Sequence, residues 1–202
     1  MQKDFENDLV HCSSCMATSG IFLYPTDTIW GLGADARDEA AVQRIIALKK
    51  RPAHKSFVIL VAGLEQLKDY VAAPVDAQLI HYLNTVQKPT TVIYPGAKHL
   101  APSVIAEDGS VAIRICLDPF CQALISRTRR PLLSTSANIS GEPSPGLYKE
   151  ISTQLIEGVD YVVQHRQQED SKSSPSSIIK WHPATTAAHK EIKAASIEVI
   201  RP

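Results

Sequence analysis

Apolar residues along this chain follow two rhythms: short unbroken runs bounded by turn formers, and longer stretches in which they recur every three or four positions. The runs read as buried strands and the longer stretches as amphipathic helices. A mostly polar N-terminal helix is expected to lead into a strand at Ile21-Phe22-Leu23. Residues 39–50 have helical spacing at Val42, Ile45 and Ile46. Strands are expected at 57–61, Thr90–Tyr94, 111–116 and 132–134, with two more at 161–163 and 197–200. Helices are expected at 64–70, 75–83, 119–128 (with Pro119 in its first turn) and 148–156. Helices and strands thus alternate with some irregularity. That predicts an α/β fold with a mixed sheet, not a strict doubly wound one.

At 202 residues one domain is expected, with one sizeable core. Residues 164–177 are rich in Gln, Asp, Lys, Ser and Pro and read as a mobile polar connection; residues 182–196 read as a loop or insertion. Lys plus Arg equals Asp plus Glu, at 21 each, so net charge is zero. No global bias toward nucleic acid or an anionic membrane follows, and an anion site has to be a local cluster. No apolar run reaches membrane-spanning length and no leader pattern is seen, so the cytoplasm is the expected location, with no membrane partner. Cys12 and Cys15 have the spacing of a redox or zinc pair, but also lie one helical turn apart; the four cysteines are expected to be buried thiols.

Three segments carry candidate chemistry. Tyr24-Pro25-Thr26-Asp27-Thr28-Ile29-Trp30-Gly31-Leu32-Gly33 follows the first strand with hydroxyls, a carboxylate and two glycines. It reads either as a tight loop into a helix or as a strand end that brings amides and hydroxyls to a small polar ligand. Lys49-Lys50-Arg51-Pro52-Ala53-His54-Lys55 closes the next helix, and Lys49 continues its apolar stripe. Cations at a helix C-terminus account for Lys50. Lys49, Arg51 and Lys55 suit an anion site equally well. Ser134-Thr135-Ser136-Ala137-Asn138-Ile139-Ser140-Gly141 follows a short strand, where an α/β sheet presents ligand sites; it reads either as a polar loop capping a helix or as a set of hydroxyls and amides for phosphate oxygens. No Walker-type phosphate loop, GxGxxG or HExxH pattern is present, and no Ser-His-Asp set is apparent.

Together these segments resemble the YrdC/TsaC family, the threonylcarbamoyl-AMP synthases. Tyr24 to Gly33 is similar to its opening YPTDT-aromatic-GLG pattern, with Trp30 where tyrosine is usual. Lys49 and Arg51 match its Lys-x-Arg pair, and Ser136 and Asn138 its Ser-x-Asn. Ser110-Val111-Ala112-Ile113-Arg114, Pro175-Ser176-Ser177-Ile178-Ile179 and Val199-Ile200-Arg201-Pro202 match later segments in order. The resemblance implies a twisted open sheet with flanking helices and a concave basic cleft, in the short form spanning residues 1–202. It implies condensation of L-threonine, bicarbonate or CO2, and ATP into threonylcarbamoyl-AMP and pyrophosphate, with Mg2+ assisting. A transferase complex then modifies tRNA. It places Thr28, Arg114, Ser136 and Ser176 on threonine. Around ATP it places Lys49, Arg51, Lys55, Ser110, Asn138, Ser144 and Arg201, with Lys49 and Arg51 catalytic and no metal ligand from protein side chains. The rival expectations are a YciO-like paralogue without synthase activity, and a module binding tRNA or double-stranded RNA. Zero net charge allows only weak RNA binding.

Overall fold

The computed structural model describes residues 5–52, 56–184 and 194–202. Helix α1 (Glu6–Ala17) precedes a hairpin of β1 (Phe22–Tyr24) and β2 (Gly31–Asp35). Helix α2 (Glu39–Lys49), β3 (Val58–Val61), α3 (Leu64–Leu67), α4 (Ala77–Thr85), β4 (Thr90–Tyr94) and β5 (Val111–Ile115) follow. Then come α5 (Pro119–Thr128), β6 (Leu132–Ser136), α6 (Thr153–Glu157), β7 (Tyr161–Val162), β8 (Ser177–His182) and β9 (Ser196–Arg201). Among the described residues, these strands form one open sheet in the order β7-β1-β2-β6-β3-β5-β4-β8-β9. The pairs β1/β7, β3/β5 and β4/β8 are parallel and the other neighbours antiparallel, so the sheet is mixed, as the alternation of elements predicted.

Helix starts follow local chemistry. Asp38, Asp76 and Asp118 each accept a backbone N–H of the first turn of α2, α4 and α5, and Pro119 opens α5. Lys50 ends α2 in the left-handed region at φ 50° and so turns the chain sharply before Pro52.

Three elements differ from the sequence-based expectation. Residues 31–35 are not a loop into a helix but strand β2, because the Phe22 and Tyr24 rings lie over its glycines. A Cβ on Gly33 would stand 2.7 Å from a Tyr24 ring carbon. Residues 148–156 do not make one helix: Ile151 and Ser152 are extended and separate a 3-10 turn (Tyr148–Glu150) from α6. The polar run also gives way sooner than expected, since Ser177 already opens β8 beside β4. Of the stretch 182–196, residues 185–193 lie outside the described residues, as does Lys55.

Period-2 alternation sends strand side chains to two cores. Ile21, Leu23, Leu32, Ile59, Val61, Ile113 and Leu133 pack with Val42 and Ile45 of α2. Phe22, Tyr24, Leu60 and Leu132 face the other way, onto Leu9 and Met16 of α1 and Phe120 and Leu124 of α5. The four cysteines are all buried in this second core. Helices α1 and α5 cover only part of that face. Farther along the same strand faces Leu132 is succeeded by Ser134 and Ser136, and Leu60 is neighboured by Arg114. The uncovered part is a cleft. Among the described residues no helix is long and apolar enough to cross a membrane.

Gly33→Ala is expected to destabilise the fold by about 1–3 kcal/mol through overpacking against two rings, measured by urea denaturation. Burial pushes the Cys12, Cys15 and Cys121 thiols up. At pH 8 a thiol reagent should therefore label them far more slowly in the native protein than in denaturant.

Candidate active site

The cleft encloses about 240 Å³. The β1–β2 connection and β2 supply Thr26, Thr28, Ile29, Trp30 and Gly31; the end of α2 supplies Arg51; β5 supplies Arg114. Strand β6 gives Ser134, Thr135 and Ser136, and the C-terminal part adds Ser144, Ser176 and Arg201. Three guanidiniums and a set of hydroxyls therefore converge, with no Asp or Glu among the lining residues. A chain with no net charge can still hold a local cluster of arginines.

Two motifs 87 residues apart in sequence meet here. Lys49 is only 1 % exposed, and its ammonium donates to the main-chain carbonyls of Ser136 and Asn138. The Lys49 carbonyl in turn accepts Ser140 N–H at 2.9 Å. Lys49 thus reaches the turn after β6 from beneath and is not among the cleft-lining side chains. Arg51 approaches from the cleft side. It donates to Thr135 Oγ1 at 3.3 Å and the Ser56 carbonyl at 2.6 Å, and its carbon centre lies 4.4 Å from the Phe57 ring centroid. Burial lowers the Arg51 pKa from its ordinary value, the sign of a cation taken partly out of water.

Inside the turn, Ser136 Oγ donates to Asn138 Oδ1, while Asn138 Nδ2 donates to the Ile139 and Glu142 carbonyls at 2.9 and 2.7 Å. The Asn138 carboxamide holds the turn's shape, and Ser136 alone of the two lines the cleft. On the opposite wall Thr26 Oγ1 accepts Thr28 N–H at 3.0 Å and lies 2.9 Å from Thr28 Oγ1. These bonds lock both hydroxyls into one arrangement.

Arg114 forms the floor and is 4 % exposed. Its Nη2 lies 2.9 Å from Asp27 Oδ1, an ion-pair contact that lacks hydrogen-bond geometry, and its buried Nε–H meets no acceptor among the described residues. A buried guanidinium with an unsatisfied N–H is costly, and an incoming carboxylate would satisfy it. Ser176 Oγ bonds Thr91 Oγ1 at 2.9 Å, and its carbonyl accepts Arg201 Nε and Nη2 at 3.0 and 2.7 Å. The last strand thereby closes the far wall.

Of the residues singled out from sequence, Thr28, Arg51, Arg114, Ser136, Ser144, Ser176 and Arg201 line the cleft. Lys49 and Asn138 lie behind it, in the turn. Ser110 lines a neighbouring hollow of about 410 Å³ that shares Ser56 with the cleft. Sequence reasoning did not single out Ser56, Thr135 or Thr26 as ligand contacts. Ser134 stood in the candidate segment after the short strand but received no individual ligand role, although its two-residue spacing from Ser136 on one strand was the available signal.

The arrangement defines an α/β protein whose open sheet carries a polar cleft lined by arginines and hydroxyls, chemistry suited to a small anionic ligand. The chain belongs to the Sua5–YciO–YrdC family, whose family model, described as telomere recombination, matches residues 14–191. The threonylcarbamoyl-AMP synthase of Xanthomonas campestris pv. campestris is 34 % identical over 158 residues, which is 77 % of this chain and 84 % of that one. The crystal structure of P. abyssi Sua5 complexed with L-threonine matches at 26 % identity and TM-score 0.75, covering 87 % of this chain and 51 % of that one. This chain therefore spans about half of Sua5. The crystal structure of E. coli YciO, at 22 % identity and TM-score 0.74, covers 97 % of this chain and 91 % of its own, a likeness of fold.

Lys49→Met should cost about 1–3 kcal/mol of stability, because it leaves buried carbonyls of the Ser136–Asn138 turn short of a donor. Urea titration of the variant checks it.

Proposed function

We propose that this protein is a threonylcarbamoyl-AMP synthase. The observation that carries the reading is the buried Arg114, whose Nε–H faces no acceptor in a cleft walled by hydroxyls. Support comes from the synthase named among its relatives and from the L-threonine complex of Sua5. In this reading Arg114 takes the threonine carboxylate, with Asp27 behind it as counter-ion. Thr26, Thr28, Ser134 and Ser176 form the small mixed pocket for the amino acid's hydroxyl and methyl. Ser136 lies where this pocket meets the nucleotide.

Arg51 and Arg201, with Ser144, take the ATP phosphates, and Lys55 is assigned to the same anion. The nucleoside extends toward Ser110 across Ser56. The threonine amine combines with bicarbonate or CO2 to give a carbamate, whose oxygen attacks the α-phosphorus. The bond from that phosphorus to the bridging oxygen breaks, and pyrophosphate leaves. Charge develops on phosphate oxygens, so fixed cations are the catalytic device and no acid–base residue is needed. Arg51 is the catalytic cation. Lys49, placed beneath the turn, acts by holding Ser136 and Asn138 in shape. Among the described residues no group of three or more His, Cys, Asp or Glu side chains could hold a metal. In this reading Mg2+ comes with ATP as its complex, and no step here depends on a protein-bound ion. Transfer to tRNA belongs to a partner transferase complex, in the cytoplasm.

The test is pyrophosphate release with each substrate omitted in turn. Release should require both L-threonine and bicarbonate, whereas a paralogue without synthase activity gives none. Arg51→Ala should slow release about 100-fold. Arg114→Gln should raise the threonine requirement at least tenfold while leaving ATP binding within twofold. An Arg114→Gln enzyme with an unchanged threonine requirement sinks the assignment.

A further inference from the structure

Thr26 and Thr28 are ordered toward the cleft by their own hydrogen bonds, but something must also hold their loop from behind. Two groups do so. Cys121 in the first turn of α5 donates its thiol to the Pro25 carbonyl at 3.5 Å. Arg166 donates through Nη1 to the Thr26 carbonyl at 3.0 Å and to Asp118 Oδ2 at 2.8 Å, and through Nε to Glu169 at 2.6 Å.

Arg166 comes from the polar connection after β7, not from any of the three motifs, and no role follows for it from the family resemblance. Its backbone lies in the left-handed region at φ 67°, which is unfavourable for a residue with a Cβ. Its surroundings are over-determined enough to hold it there. Asp8 on α1, buried, accepts Gln164 N–H and His165 N–H, each at 3.0 Å, and the Tyr161 hydroxyl at 2.7 Å. Asp118 is buried too, and its other oxygen caps α5. The segment is thus fastened to α1 just before Arg166 and to α5 at Arg166. Beyond Glu169 the same segment runs on to Ser176, on the opposite wall of the cleft. One guanidinium therefore ties the Thr26–Thr28 wall to the chain that delivers the Ser176 wall.

We infer that Arg166, held by Asp118, is a positioning residue that sets the width of the amino-acid subsite without touching the ligand. This rests on the synthase reading for the identity of the ligand, though not for the clamp itself. Without the guanidinium, the Thr26 carbonyl loses its donor and the two hydroxyls are free to drift from Ser176. The Arg166 side chain bonds Thr26, Asp118 and Glu169, so the nucleotide side, built on Arg51 and the turn after β6, is expected to keep its geometry.

The test compares Arg166→Met, Arg166→Lys and Asp118→Asn, the last of which retains a cap for α5. Two measurements are made on folded protein: calorimetric Kd values for L-threonine and ATP, and amide exchange in the ligand-free state. Arg166→Met should raise the L-threonine Kd about tenfold or more with the ATP Kd within twofold. It should also speed exchange at Thr28 about tenfold while leaving Leu124 and Ile125 of α5 unchanged. Asp118→Asn should move both readouts in the same direction. Arg166→Lys keeps a donor for the Thr26 carbonyl and should fall between Arg166→Met and wild type. Unchanged threonine binding and unchanged Thr28 exchange in Arg166→Met would overturn the inference, as would equal weakening of ATP and threonine. Wild-type protein that binds no L-threonine would end the synthase reading instead. Exchange at Thr28 then decides alone whether Arg166 holds the wall.

Discussion

The Lys49 ammonium sits beneath the turn that follows β6, almost without exposure, on the carbonyls of Ser136 and Asn138. A lysine in that place costs desolvation, and the carbonyl dipoles must offset it for the charge to remain. In return the end of α2 is fastened to the end of β6. Arg51, two residues on, is then directed across Thr135 into the cleft, and Ser136 is presented beside it. If this join slackened, the Lys-x-Arg and Ser-x-Asn segments would be two polar loops with no common ligand.

The cleft itself exists because the sheet face is divided. Helices α1 and α5 cover the part bearing Phe22, Leu60 and Leu132, and leave uncovered the part where the same periodicity places Val58, Arg114, Ser134 and Ser136. Arginines are tolerated in that uncovered part since each keeps hydrogen-bond partners or an ion pair. The uncharged total of the chain conceals this, because net charge says nothing about where charges sit.

Much of the fold was legible from sequence. An unbroken apolar run marked β3, a β-branched run marked β4, and helical apolar spacing marked α2. The failures share a cause. Gly31-Leu32-Gly33 has the composition of a turn but forms the middle of a sheet, because the rings of Phe22 and Tyr24 need the space that missing side chains leave. Residues 177–182 carry no strand signal stronger than Ile178-Ile179 beside a polar run, and become β8 by pairing with β4. Both outcomes depend on a neighbour distant in sequence, which local propensity does not contain.

The site divides along the same line. Residue order alone determined that hydroxyls, arginines and glycines occur in motifs with particular spacing, and that Lys49 lies on the buried stripe of its helix. It could not say that Lys49 would point at main-chain carbonyls while Arg51 takes the cleft, nor that Ser110 would fall into the adjoining hollow. Nor could it place Arg166 behind Thr26, since the two meet only where β1 and the segment after β7 run side by side. Which chemical groups are available is a property of the chain. Which of them face one another is decided by sheet order and register, because a residue's direction on a strand is set by pairing with partners remote in sequence.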